Sequence, residues 1–243
     1  MSAGAGVAIL AAMSDGATQW PAAVVALSGG QDSTTVLAWA KRRCQRVYTL
    51  AFDYGQRHRV ELDAARRIAA LAGVAEHREL PVTSLASLGG NALTATGPIC
   101  AEGGPDGLPT TFVPGRNLLF LTLAAAWAYQ LGVTELVTGV CQTDYSGYPD
   151  CREATMRALE QSLRLGMERP FTIHAPLMHR SKAEAVLLAR DEGALPWLAW
   201  SHTCYEGQVP PCGRCPACVL RARGFAEAGI ADPLLLRLAA IEE

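Results

Sequence analysis

The chain has 243 residues, 50% of them hydrophobic, and a formal net charge of -2. Such a length buries a full core without disulfides or metal, and the faintly acidic balance argues against a dedicated nucleic-acid binder, whose affinity comes largely from basic groups set against phosphate. No apolar run reaches the ~18 residues of a membrane span, and the opening MSAGAGVAILAAMS lacks the positive lead of a secretory signal, so a cytoplasmic protein without a membrane partner is expected.

Residues 1–20 read as an Ala/Gly-rich disordered tail, with Met13 as an alternative start. Ala22–Leu27 is wholly apolar, the pattern of a buried parallel strand. The loop SGGQDS follows, then a helix from Thr34 to Lys41 and a second strand, Val47–Phe52. A helix over His58–Leu71 is expected to stop at Gly73, and Arg78–Val82 to form a third strand. Residues 83–115 are rich in Gly, Pro, Thr and Ser, too long for an ordinary connection, and read as a functional loop or lid. A helix over Asn117–Gln130 carries the core stripe Leu118, Leu119, Leu121, Leu123 and Trp127 and ends at Gly132. Glu135–Val140 is the fourth strand, the loop CQTDYSGYPDC leads into a helix running to Leu165, and Phe171–Ala175 is the fifth strand. Ser181 is placed to cap a helix over Lys182–Asp191, and a short helix follows Pro216. Strands alternating with helices predict an α/β fold, a parallel sheet covered by helices on both faces.

Ser28-Gly29-Gly30-Gln31-Asp32-Ser33 lies between the first strand and the first helix. Free N–H groups at a helix start favour anions, and two glycines let backbone approach a phosphate. Ser28 and Ser33 add hydroxyls, while Asp32 suits magnesium or a backbone cap. A plain tight turn with a serine cap is the alternative. The sequence has neither a Walker motif nor GxGxxG, which removes support from ordinary P-loop and dinucleotide readings.

Eight cysteines are present, and Cys204, Cys212, Cys215 and Cys218 form C-x7-C-x2-C-x2-C. Four thiolates at such spacing close a tetrahedral zinc site with no open position for water, hence a structural one. An iron–sulfur cluster and a redox thiol set are the alternatives. His202, just before the first ligand, is expected beside the site rather than on the metal.

The loop Cys141–Arg152 follows the fourth strand and lies on the same sheet edge as SGGQDS. Among Asp144, Tyr145, Tyr148, Asp150 and Arg152, a carboxylate could accept from the amino edge of a guanine-type ring, tyrosines could stack on it, and the arginine could hold a substrate carboxylate. An ordinary polar loop with turn residues is the alternative.

SGGQDST after an apolar strand resembles the loop of the N-type ATP pyrophosphatases. SGGQDSTT, FDYGQRH, FVPGRN, DYSGYPDCR, HRSKAE and the terminal cysteine array occur in the order seen in the 7-cyano-7-deazaguanine synthase family. The match spans about Ala22 to Arg221; WSHTCY before the first cysteine departs from the family pattern but keeps the ligand. The resemblance implies an adenine-nucleotide alpha-hydrolase-like fold, with an ATP-binding domain over 21–200 and a zinc-bound lobe over 201–243. It implies a cytoplasmic carbon–nitrogen ligase of queuosine biosynthesis that joins ammonia to 7-carboxy-7-deazaguanine, activating first the carboxylate and then the amide with ATP and magnesium.

On this resemblance Leu27, Ser28, Gly29, Gly30, Gln31, Asp32, Ser33, Thr34 and Arg116 are expected to bind ATP, and Ser28, Asp32, Ser33 and Lys182 to act in catalysis. Arg116 and Asn117 in FVPGRN have a plain helix cap as their alternative. Tyr54, Gln56 and Arg57, with His58 beside them, are expected near adenine and the ring substrate, together with Asp144, Tyr145, Tyr148, Asp150 and Arg152. Partners are small molecules, with no nucleic acid; a homodimer is compatible with the reading. The competing functions are a tRNA-thiolating sulfurtransferase, for which Cys141 and Cys151 would be the loop thiols, and a non-catalytic zinc-ribbon nucleic-acid binder.

Overall fold

The computed structural model describes residues 19–94, 98–100, 107–142 and 147–242. Among them five strands form one parallel sheet in the order β3-β2-β1-β4-β5. The strands are β1 (Trp20–Ala26), β2 (Cys44–Asp53), β3 (Glu76–Pro81), β4 (Glu135–Val137) and β5 (Thr172–His174). β1 is central, pairing Val24 with Tyr48 on β2 and with Leu136 on β4.

Strand alternation sends successive side chains to opposite faces. On one face Val24, Leu50, Phe52 and Leu136 pack with α4 (Arg116–Leu131) and α5 (Glu153–Met167) through Leu121, Trp127, Met156 and Leu163. On the other, Ala23, Val25, Val47, Ala51 and Val137 pack with α1 (Gln31–Arg43), α2 (Val60–Ala72) and α6 (Lys182–Asp191) through Val36, Leu37, Ile68 and Ala185. Each fully buried aliphatic side chain contributes roughly 1.5–3 kcal/mol, so the two faces fix the three-layer architecture expected.

The expected helices and strands are present with shifted ends. β1 begins at Trp20, two residues before the predicted start at Ala22, so Trp20 belongs to the sheet. α1 begins at Gln31 rather than Thr34, and β4 stops at Val137 rather than Val140. Gly73 caps α2 and Ser181 caps α6 as the sequence indicated, and Glu184 completes a capping box with Ser181. The stretch read as a lid contains a short helix, α3 (Ser84–Leu88). The C-terminal region adds α7 (Leu195–Leu198), α8 (Pro216–Ala228) and α9 (Pro233–Glu242). α8 packs on α6 and α7 through Val186, Ala189, Leu198 and Phe225. No helix among the described residues is long and apolar enough to cross a membrane. The N-terminal stretch through residue 18, including Met13, lies outside the described residues.

Candidate active site

Chain progression reverses direction between β1 and β4, and in such sheets the crevice beyond the strand C-termini receives ligands. A cavity of about 280 Å³ lies there. Two glycines let its walls come together. Gly29 has φ +84°, and a Cβ on it would lie 2.3 Å from the Glu61 carbonyl oxygen and 2.7 Å from the Ala65 nitrogen of α2. A Cβ on Gly139, after β4, would lie 2.9 Å from the Asp32 carbonyl carbon. β4 ends at Val137, and only the Thr138 N–H still reaches β5, at the His174 carbonyl at 2.9 Å, so the strand is shorter than its apolar pattern suggests.

Gly30 is the N-cap of α1 and supplies no side-chain cap, so the helix's first N–H groups keep their capacity for an anion. Ser28 Oγ lies 3.0 Å from Ser33 Oγ and accepts from the Gly30 N–H at 3.3 Å. Lys182, first residue of α6, places Nζ 2.6 Å from Asp32 Oδ2. Asp32 Oδ1 and Gln31 Nε2 are buried and have no hydrogen-bond partner among the described residues, as expected of groups waiting for a ligand.

The opposite wall is aromatic. Phe52 and Phe120 stack at 4.1 Å, Tyr54 lies 5.5 Å from Phe120, and Tyr148 and Tyr205 line the same cavity. Burial raises the phenols of Tyr54 and Tyr205 above their ordinary range, so both stay neutral donors. Arg116 lies among these rings.

The cavity thus gathers Leu27, Ser28, Gly30, Gln31, Asp32, Ser33, Tyr54, Arg116, Tyr148 and Lys182. Other predicted residues lie elsewhere. Gly29 and Thr34 stand behind the wall, and the fully buried Thr34 donates its hydroxyl to the Gly30 carbonyl at 2.8 Å. Gln56 is buried and braces its own turn, accepting from the Tyr54 N–H at 2.9 Å and donating to Phe52 O and Glu61 Oε1. Arg57 pairs with Glu206 at 3.1 Å. Asp150 is buried and accepts the Asn117 N–H of α4 at 2.9 Å, which makes it a helix cap. Arg152 is exposed at the start of α5. Asp144 and Tyr145 lie outside the described residues. Sequence reasoning missed Glu61, Phe120, Gly139, Thr203, Tyr205 and Arg221, which also line the cavity. Gly139 at a strand end was the one legible signal among them.

The four clustered cysteines form a third wall's foundation. The sulfurs of Cys204, Cys212, Cys215 and Cys218 all lie within 4.8 Å of one another. Thiolates on a tetrahedral ion at ~2.3 Å would be about 3.8 Å apart, so the donor set fits a metal ion. The Cys215 N–H donates to Cys212 Sγ at 3.3 Å, and hydrogen bonding from Cys218 draws the Cys215 thiol below its ordinary range. Cys215 caps α8, whose positive end also favours a thiolate. His202 is buried beside the cluster, donating Nε2–H to the Cys204 carbonyl at 3.0 Å and its backbone N–H to the Gly29 carbonyl at 2.8 Å. Burial lowers its pKa and keeps the ring neutral. It stands next to the cluster rather than in it, as expected. Arg221 completes this wall, held bidentately by Asp232 at 2.6 and 2.8 Å and bonded to Ser201 and Thr203.

A family model described as queuosine biosynthesis protein QueC matches residues 22–229. A 7-cyano-7-deazaguanine synthase of Laribacter hongkongensis (strain HLHK9) is 64% identical over 222 residues, covering 90% of this chain and 96% of that protein. One of Chromobacterium violaceum is 63% identical over 219 residues, covering 88% and 93%. One of Bradyrhizobium sp. (strain BTAi1) is 49% identical over 227 residues, covering 84% and 93%.

Proposed function

Because the chain belongs to the QueC family of queuosine biosynthesis proteins, we propose that it is an ATP-dependent carbon–nitrogen ligase that converts 7-carboxy-7-deazaguanine and ammonia to 7-cyano-7-deazaguanine. Identity of 64% across 90% of the chain carries the reading. The cavity supports it by joining a loop suited to phosphate to a wall of aromatic side chains that a planar ring can face.

A carboxylate is a poor electrophile because its oxygen leaves badly. Its oxygen attacks the α-phosphorus of ATP, and pyrophosphate departs. Ammonia then attacks the acyl carbon, a proton is lost, and AMP leaves with the oxygen, giving the amide. The amide oxygen attacks the α-phosphorus of a second ATP and pyrophosphate departs; the nitrogen then gives up its two protons as AMP leaves with the oxygen, which gives the nitrile. Ser28, Ser33 and the N–H groups of α1 would bind the departing phosphates, and Lys182 would turn from Asp32 to neutralise them. Magnesium, when bound at Asp32, would supply further neutralisation.

Zinc held by Cys204, Cys212, Cys215 and Cys218 would be structural, since four thiolates leave no open position. A cytoplasmic enzyme acting on small molecules follows from the same reading. Incubating the protein with ATP, ammonium and 7-carboxy-7-deazaguanine should give the nitrile by mass, with AMP and pyrophosphate. Unchanged ring acid in the presence of turnover on a tRNA would move the chain to the thiolating class.

A further inference from the structure

Arg116 opens α4 and enters the cavity between two tyrosine rings, its guanidinium carbon 5.7 Å from the centre of Tyr54 and 5.9 Å from that of Tyr148. A guanidinium carries five N–H donors in a fixed fork. One is used, Nη1 donating to Tyr54 Oη at 3.3 Å, and no carboxylate among the described residues forms an ion pair with it. Asp150, a nearby carboxylate that makes no ion pair with it, spends Oδ2 on the Asn117 N–H at 2.9 Å. Tyr148 turns its hydroxyl to Thr111 Oγ1 at 2.6 Å and offers Arg116 only its ring.

The contrast with other enclosed cations is sharp. Arg221 is held bidentately by Asp232, Arg43 meets Glu192 at 2.8 Å, and Lys182 meets Asp32 at 2.6 Å. A cation drawn out of water without an anion is costly, typically several kcal/mol. Arg116 stands half-buried on a cavity wall with no carboxylate of the described residues in contact, where a ligand anion can pair with it. A planar ring can stack on an aromatic side chain of this wall, and the guanidinium fork matches a carboxylate lying in the ring's plane. Phosphate has its own donors at the start of α1, beside Lys182.

We infer that Arg116 binds the carboxylate of the ring substrate as a bidentate pair and selects the acid over uncharged groups at the same ring position. The inference rests on the proposed reaction and changes two expectations drawn from the sequence: Arg116 was assigned to ATP, and the carboxylate to Arg152, which is exposed and outside the cavity. It also solves an electrostatic problem. The attacking carboxylate must approach a triphosphate of like charge, and a guanidinium behind it offsets the repulsion while each oxygen keeps a lone pair for attack.

The test is equilibrium titration of the metal-loaded enzyme with 7-carboxy-7-deazaguanine, with its neutral 7-amide, and separately with magnesium ATP. Arg116→Gln should weaken the acid about 100-fold, the amide less than about threefold, and ATP less than about threefold. Arg116→Lys, which keeps a cation and its stem, should fold even where the glutamine variant fails and should lose about tenfold for the acid alone. An equal loss for ATP, an equal loss for acid and amide, or an unchanged acid affinity overturns the inference. Wild-type enzyme that binds neither ring compound would instead overturn the reaction on which it rests.

Discussion

Lys182 Nζ lies 2.6 Å from Asp32 Oδ2, so the start of α6 is tied to the first turn of α1 directly beside the SGGQDS loop. Both partners are partly screened from water, at 15% and 28% exposure, and Asp32 Oδ1 has no hydrogen-bond partner among the described residues. The pair holds an ammonium and a carboxylate at the point where a triphosphate would arrive. Lys182→Ala should therefore lower kcat for nitrile formation by about 10²–10³-fold, while affinity for the ring acid changes little. Steady-state kinetics with each substrate varied in turn checks this; a loss confined to the KM of the ring acid would place Lys182 in the other half of the cavity.

Gly29 tests the architecture under the loop. An alanine Cβ would sit 2.3 Å from the Glu61 carbonyl oxygen and 2.7 Å from the Ala65 nitrogen, both backbone atoms of α2, at φ +84°. Neither atom can yield without moving the helix. Gly29→Ala should cost about 3–5 kcal/mol of stability, read as a fall in the midpoint of chemical denaturation. Gly73→Ala has a similar φ of +58° but open space around the new Cβ, and should cost only about 1 kcal/mol. Equal effects from the two would show that conformation rather than close approach limits Gly29.

The cysteine cluster and the loop share a hydrogen bond, the His202 N–H to the Gly29 carbonyl at 2.8 Å. His202, Thr203, Tyr205 and Ala217 from the same region form part of the cavity wall. Metal removal should thus weaken ATP binding as well as lower stability. Protein purified without added metal should contain near one zinc per chain, and Cys215→Ala should lose the metal and much of the folded stability. Titration of ATP into chelated and reloaded protein should show at least a tenfold difference, roughly the loss of one well-placed contact. Bound iron with a brown colour would defeat the zinc assignment, and identical ATP affinities would defeat the coupling.

Much of this was legible because its signals are local. The apolar run of β1, the Ser181 cap of α6 and Gly73 after α2 each declare themselves within a few residues. The misread parts depend on contacts across the chain. Val140 belongs to an apolar run, yet β4 ends at Val137 and Gly139 packs against the backbone of Asp32. Gln56 and Asp150 carry the chemistry of ligand contacts, yet their hydrogen bonds are spent on a turn and a helix start. Tyr205 and Arg221 reach the cavity because the metal-binding region folds back over the loop. Arg116 was visible as a cation near a helix start, but that no carboxylate among the described residues pairs with it is a property of its neighbours.

The fate of the carboxylate oxygens follows from the loop. A Walker lysine serves transfer at the γ-phosphate, and SGGQDS has none; its serines, 3.0 Å apart, and the N–H groups of α1 suit binding of the β- and γ-phosphates as one departing unit. The α-phosphorus is then open to the incoming carboxylate. With both carboxylate oxygens labelled as oxygen-18, the first attack carries one label into AMP when ammonia displaces it. The amide keeps the other, and the second adenylation carries that one into a second AMP. Mass analysis should find two singly labelled AMP molecules for each nitrile and no label in pyrophosphate. Arg116 and the aromatic wall should not alter this count, since they bind the acid without exchanging its oxygens. Labelled inorganic phosphate with ADP would mean that the attack falls on the γ-phosphorus through an acyl phosphate. The loop's part would then be different even if the nitrile is still made, because its donors would have to stabilise a single transferring phosphoryl group rather than a leaving pyrophosphate.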